Sequence, residues 1–217
     1  MNSWRGLGLL GGSFDPVHKG HVALARKLAQ TAGIDEVRFV IAASPPHRPT
    51  LAAKAALRRR MLAAALEDLP GFSIEDCELE PSGPRYTVDT LRILKRRNPR
   101  RTLCWMMGYD SFRTLPAWHC WEEIFDLAHV LVGARAGHPG SLPAVLEGEL
   151  ESRSVSDPLE LRATGAGRIM TCPQPVAAVS SSHVREAARA GDFTHDLIPA
   201  PVARIISETG AYAGGDK

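Results

Sequence analysis

The stretch Gly11-Gly12-Ser13-Phe14-Asp15-Pro16-Val17-His18-Lys19-Gly20-His21 decides how this chain is read. Gly6-Leu7-Gly8-Leu9-Leu10 precedes it, short and apolar, and predicts a buried strand. Val22, Ala25, Leu28, Ala29 and Ala32 follow at helical spacing and predict a helix with one apolar face. The unit is strand, turn, helix, with its chemistry in the turn. Gly11 and Gly12 carry no Cβ, so a ligand can come close to the backbone. The helix start leaves N–H groups unpaired beside a partial positive charge, which suits a phosphate. His18 and His21 are three apart and share one face of the first turn, with Gly20 keeping it uncrowded. The run is neither a Walker loop nor a dinucleotide fingerprint, because it lacks Gly-Lys-Ser/Thr and the spacing G-x-G-x-x-G. A glycine-rich turn with two surface histidines would account for either feature alone, not for the whole run.

Working outward, Val37 to Ala42 predicts a second buried strand. With the helix between, this is a βαβ unit, which implies a parallel sheet with right-handed crossover. The strand runs into Ser44-Pro45-Pro46-His47-Arg48-Pro49, a stiff loop at a carboxyl strand end. Ligands of open parallel sheets bind at such ends, and His47 and Arg48 can donate to a phosphate. Leu57 to Ala65 predicts a helix, and its Arg58-Arg59-Arg60 run reads as a solvated face. Phe72 to Asp76 predicts a strand, with a further one near Cys77 to Leu79. Tyr86-Thr87-Val88-Asp89-Thr90-Leu91 opens a helix with Thr87 as N-cap, closed by Lys95-Arg96-Arg97, whose charges favour the helix dipole.

Thr102 to Met107 and Ala128 to Ala134 predict two more strands. Gly108-Tyr109-Asp110-Ser111 follows the first, where the Asp110 carboxylate can accept from a ribose or cap a helix. Trp118 lies in a proline-containing segment just beyond and offers either a platform for a flat ring or a core side chain. Residues 136–167 are rich in Gly and Pro and predict a loop-rich excursion, with a short helix from Pro143 to Leu150. Arg168 to Cys172 returns to a strand. Ser180-Ser181-Ser182-His183-Val184-Arg185 then starts a helix capped by Ser181 or Ser182. The added guanidinium of Arg185 makes this a second phosphate-binding constellation. Leu197 to Glu208 predicts the last helix, so residues 181–210 form a C-terminal helical region.

The chain has 217 residues, 44% hydrophobic and 23% charged, enough for one α/β domain over 1–217 with a sizeable core. A net charge of +2 gives no footprint for nucleic acid, and no apolar run approaches a membrane span. The N-terminus lacks the apolar core of a signal peptide. Cys77, Cys104, Cys120 and Cys172 form no C-x-x-C, and Cys104 and Cys172 read as core thiols. His119-Cys120 and His129 match no zinc spacing, so no metal site is expected from them. A reducing cytoplasm fits this cysteine usage. The sequence leaves the oligomeric state open and admits a homo-oligomer.

The order G-G-S-F-D-P-V-H-K-G-H, P-P-H-R, Y-T-V-D-T-L, G-Y-D-S, P-x-W and S-S-S-H-V-R covers nearly the whole chain. It resembles the bacterial nicotinate-nucleotide adenylyltransferases, members of the nucleotidyltransferase superfamily marked by H-x-G-H. The resemblance implies a Rossmann-like open parallel sheet with helices on both faces. It implies reaction of ATP with nicotinate mononucleotide to give deamido-NAD and pyrophosphate, with Mg2+ accompanying ATP. His18 and His21 are then the catalytic pair on the ATP phosphates. Ser181, Ser182 and Arg185 would hold the β- and γ-phosphates, Gly12, Ser13 and Phe14 the nucleotide cleft, and Gly108 and Asp110 the adenosine side. His47, Arg48, Thr87 and Trp118 would form the mononucleotide side. The chain departs from the family pattern at Ser182, where Thr is usual, at Tyr109, and at Ala42 and Ala43, where relatives often carry Asn. A sister enzyme using nicotinamide mononucleotide or phosphopantetheine, and a nucleotide-binding module without catalysis, are the alternatives.

Overall fold

The computed structural model describes residues 4–43, 51–135, 141–176, 179–192 and 197–213. The chain opens with strand β1 (Gly6–Gly12), helix α1 (Lys19–Ala32) and strand β2 (Val37–Ile41), the predicted βαβ unit. Helix α2 (Ala55–Leu66), strand β3 (Phe72–Glu75), helix α3 (Thr87–Arg97) and strand β4 (Thr102–Gly108) follow. The short helices α4 (Tyr109–Arg113) and α5 (Ile124–Leu127) lead into strand β5 (His129–Arg135). Helix α6 (Ala144–Arg153), strand β6 (Ser154–Val155), helix α7 (Pro158–Ala163) and strand β7 (Ile169–Val176) come next. Helices α8 (Ser181–Arg189) and α9 (Ala200–Thr209) end the described chain.

Among the described residues the strands form one sheet in the order β3-β2-β1-β4-β5-β7-β6, every pair parallel. Parallel strands need crossovers, and the crossover helices cover both faces. The side-chain alternation shows it. Leu7 and Leu9 of β1, with Leu103, Trp105 and Met107 of β4, pack with α3, α5 and α6. Leu10, Cys104 and Met106 point the other way, among α1, α2, α8 and α9. The architecture is therefore the Rossmann-like doubly wound sheet that the sequence predicts.

From β1 the chain winds outward through β2 and β3, then crosses back to lay β4 on the other side of β1. Strand order reverses at β1 and β4, so their carboxyl ends flank a crevice with no crossover covering it. The turn that carries the histidines leaves from β1 at that crevice, and Gly108 ends β4 there. Gly11 lets the two strands close up. A Cβ on it would lie 2.4 Å from the Trp105 ring, which is buried in the sheet face beneath.

Three local expectations are corrected. Cys77–Leu79 is a 3-10 turn, not a strand. The described part of 136–167 holds α6, β6 and α7, with Leu146 and Leu161 fully buried, so it is more ordered than its composition suggests. Its few apolar residues are spent on the sheet edge. Arg58 is not on a solvated face: it is 1% exposed, whereas Arg59 and Arg60 are exposed as expected, and pair with Asp76 and Glu208.

Candidate active site

The crevice opens into a cleft of about 800 Å3 that runs across the carboxyl ends of β1 and β4. His18 and His21 stand on its wall. His18 is the N-cap of α1 and His21 is the third helical residue. His18 N–H donates to Nδ1 of His21 at 3.2 Å, and His21 N–H donates to Nδ1 of His18 at 3.3 Å. This is a capping box with both places taken by imidazoles. The rings stack with centroids 3.6 Å apart and 23° between planes. Because each Nδ1 accepts, the proton of each neutral ring is on Nε2.

Burial keeps both rings neutral. It lowers His18 to about 4. It carries His21 well below the ordinary value, with the neighbouring His18 as the second cause. The pair therefore offers two neutral Nε2–H donors in fixed orientation. Gly20 makes room for this stack, since a Cβ there would lie 3.0 Å from Nδ1 of His18.

Gly12, Ser13, Gly108, Asp110, Ser181 and Ser182 line the same cleft. Gly108 is the N-cap of α4, so Asp110 sits in the first turn and is not the cap. Ser180, not Ser181 or Ser182, caps α8, accepting from His183 N–H at 3.2 Å. The next two hydroxyls are thereby released from capping. Ser181 donates to the Pro16 carbonyl at 3.1 Å, which docks α8 on the histidine turn. Arg185 donates to the Asp15 carbonyl at 2.7 Å and to Ser182 Oγ at 3.0 Å. Its guanidinium thus braces the turn and does not line the cleft. Phe14 is also off the cleft wall. It is 1% exposed, edge-on to His21 at 5.1 Å, and supports that ring from behind.

At the other end of the cleft are Thr87 and Trp118, joined by Glu78, Arg85, Tyr86 and His119, which sequence reasoning did not single out as site residues. Tyr86 is the N-cap of α3 and Thr87 its first residue, and no side chain caps this start. Asp89 N–H donates to the Tyr86 carbonyl at 3.0 Å, and no side chain takes up the Thr87 and Val88 N–H groups before it. Two contacts join the walls here. The Tyr86 and His119 rings lie 4.4 Å apart. Arg92 of α3 grips both carboxylate oxygens of Glu123, with Nε to Oε1 at 2.7 Å. His47 and Arg48 lie outside the described residues.

Sequence reasoning also missed the buried hub beneath the turn. Arg58 donates to the carbonyls of Ser13 (2.5 Å), Ala42 (2.8 Å), Ala43 (3.0 Å) and Ala53 (3.2 Å). The Asp15 carboxylate accepts from Ala52 N–H (2.7 Å), Ala53 N–H (3.1 Å) and Tyr212 O–H (2.7 Å). A signal for Arg58 was present. It falls in register with Met61, Leu62 and Ala65, the buried stripe of α2. His129 is likewise structural. Its Nε2 faces the carbonyls of Leu161 and Thr164, and its Nδ1 accepts from Arg168 N–H. Cys104 and Cys172 are core thiols as expected, and so is Cys77. Burial pushes Cys77 and Cys104 up to about 12, so neither ionises near neutral pH.

Comparison with known proteins agrees with this geometry. The cytidylyltransferase-like family matches residues 9–187. A protein of Methylococcus capsulatus named “Probable nicotinate-nucleotide adenylyltransferase” is 36% identical over 95% of this chain and 99% of its own length. One of the same name from Laribacter hongkongensis is 42% identical over 89% of each. The chain belongs to the nicotinate-nucleotide adenylyltransferase family. Its fold is also that of the Plasmodium falciparum nicotinic acid mononucleotide adenylyltransferase solved in complex with NaAD. The two share a TM-score of 0.73 and 18% identity over 96% of this chain and 97% of that one. Among the described residues no helix is long and apolar enough to cross a membrane.

Proposed function

We propose that this adenylyltransferase joins the adenylyl group of ATP to nicotinate mononucleotide, giving deamido-NAD and pyrophosphate. The observation that carries the reading is the His18–His21 pair, two neutral donors fixed at the switch-point cleft of a chain in this family. The nucleophile is the acceptor's phosphate, largely dianionic near neutral pH because its second pKa is about 6. It needs no general base, and none is assigned. The work of the protein is alignment of the phosphates in line and stabilisation of charge growing on their oxygens. Nε2–H groups held by reciprocal backbone bonds do this without reorganising during transfer. The Ser181 and Ser182 hydroxyls at the start of α8 suit the outer phosphates of ATP, and Arg185 holds that helix against the turn. Asp110 and Gly108 suit the adenosine side.

Mg2+ enters this reading as the ion carried by ATP. Among the described residues no group of three or more His, Cys, Asp or Glu side chains is placed to hold a metal, so no residue here is assigned to it. The whole chain 1–217 is read as one nucleotidyltransferase unit, and its buried thiols suit a reducing cytoplasm.

The uncapped start of α3 and the Trp118 side chain on the cleft wall support putting the acceptor there. A pyridine ring stacks on the indole, and its carboxylate, which only accepts, meets the first-turn N–H groups. An amide brings its own donors against those groups and leaves buried donors unpaired at about 1–3 kcal/mol each. Discrimination against nicotinamide mononucleotide is therefore expected to be at least about tenfold. The test is pyrophosphate release from ATP with nicotinate mononucleotide, nicotinamide mononucleotide and phosphopantetheine in turn. Trp118→Ala is expected to raise the acceptor KM strongly while the preference for the acid persists. Equal kcat/KM for acid and amide would refute the donor argument, and an unchanged acceptor KM in Trp118→Ala would return that side chain to the core.

A further inference from the structure

Glu78 has no part in the reaction described above, yet it lines the acceptor end of the cleft with Arg85, Tyr86, Thr87, Trp118 and His119. It sits in the 3-10 turn Cys77–Leu79, between β3 and α3. Its Oε1 accepts from the Thr90 hydroxyl at 2.7 Å. Thr90 is fully buried on α3, and both its N–H and its hydroxyl lie near the Tyr86 carbonyl, at 3.1 and 3.2 Å. A hydroxyl has one proton to give, and the shorter contact is the one to Glu78. The carboxyl therefore ties the 77–79 turn to the first turn of α3. Among the described residues Thr90 is its only hydrogen-bond donor, and Oε2 is not sealed in the core as an orphaned atom. Glu78 borders the cleft, which leaves that oxygen for a ligand there.

We propose that Glu78 is a positioning and charge-selecting residue for the acceptor, fixing the start of α3 through Thr90 and presenting its second oxygen to the anionic mononucleotide. The proposal rests on the function proposed above. Burial pushes the Glu78 carboxyl up to about 7, against the pull of the Thr90 bond. The titratable and charged groups around it are the Cys77 thiol on its own turn and Arg85, Tyr86 and His119 along the cleft. Glu75 and Glu80, on either side in sequence, are engaged by Arg38 and Arg97. Below the midpoint the neutral carboxyl can donate to an acceptor-only carboxylate. Above it, a second negative charge faces the substrate where water screens poorly. Acceptor affinity then falls as pH rises through the midpoint. An amide acceptor carries one charge fewer and is penalised less, so preference for the acid narrows with rising pH.

The experiment uses the whole chain and Glu78→Gln, whose amide oxygen still accepts from Thr90 and which cannot ionise. Calorimetry gives the Kd for nicotinate mononucleotide from about pH 6 to about pH 8.5, with ATP as a control ligand. Titration of the substrate phosphate is common to both proteins and cancels in their ratio. The ratio of wild-type to Gln Kd is expected to rise about tenfold across this range, with the ATP ratio flat. A pH-independent acceptor ratio overturns the proposal. Glu78→Ala, which loses the Thr90 acceptor and the neutral donor, is expected to weaken acceptor binding at about pH 6, below the midpoint, and leave ATP binding unchanged. Wild-type acceptor Kd in that variant also overturns it. Binding without pyrophosphate release in the wild type would strike the catalytic reading alone, because the calorimetric ratio still decides Glu78. No binding of nicotinate mononucleotide would overturn both.

Discussion

At the scale of single residues, the histidine pair shows how a motif becomes a donor array. Spacing of three predicted a shared face, and the sequence carried that much. The reciprocal Nδ1 bonds were not legible, because capping boxes are recognised by Ser, Thr, Glu and Gln. In the reaction proposed here, the Nε2–H of His21 faces charge that develops only in transfer, which would separate it from ATP affinity. His21→Ala is expected to bind ATP nearly as wild type by calorimetry while kcat collapses, and near-normal kcat would sink the assignment. His18 supplies a pH signature. It stays neutral in the fold down to about 4, whereas the unfolded chain protonates it near 6.5. Its contribution is full above pH 6.5 and is lost as pH falls from there toward 4, by up to about 3 kcal/mol. His18→Asn keeps an N-cap acceptor, so its urea-unfolding free energy is expected to fall less steeply over that window. An identical acid slope would contradict the burial argument. Arg58 teaches the opposite lesson about legibility. A run of three arginines reads as a surface, and only its register with Met61, Leu62 and Ala65 marks the first of them as buried.

At the scale of elements, strands and helices were largely legible because each is a periodic apolar segment. Their starts were less so. Ser180, Ser181 and Ser182 are chemically equivalent in sequence, and only the folded helix start shows that Ser180 is the cap. Thr87 fell one residue inside its helix for the same reason. The 3-10 turn at Cys77–Leu79 is too short for any period to distinguish it from a strand. The start of α8 yields a paired prediction. Ser180→Ala removes the cap and is expected to cost about 1 kcal/mol in urea unfolding, with catalysis retained. Arg185→Ala removes the charge-assisted bond that holds α8 to the histidine turn, and a second one inside α8 to Ser182. Its ATP Kd is expected to rise about tenfold or more. Unchanged ATP affinity in Arg185→Ala would leave the serine pair without the brace inferred for it.

At the scale of the molecule, strand order places the cleft: the first βαβ unit pointed to the carboxyl strand ends, and the order around β1 and β4 shows where the winding reverses. Closure of the site from the far end of the chain was not available. Gly210 ends α9 in a left-handed turn, and the chain returns so that Tyr212, 197 residues on from Asp15, donates to its carboxylate at 2.7 Å. Local patterns carry no information about such a pairing. The Asp15 carboxylate also holds Ala52 and Ala53, and its backbone carbonyl holds Arg185, so one residue joins the histidine turn, the approach to α2, and α8. Burial and the adjacent Asp15 raise the Tyr212 hydroxyl, which stays protonated and acts as donor throughout the working range. Tyr212→Phe keeps the ring and removes only that donor. Loss of one hydrogen bond to a buried carboxylate is expected to cost about 1–3 kcal/mol in urea unfolding. The turn it steadies carries His18 and His21, so kcat is expected to fall with it, measured where the variant is fully folded. A variant with wild-type stability and wild-type kcat would show that the tail only covers the hub.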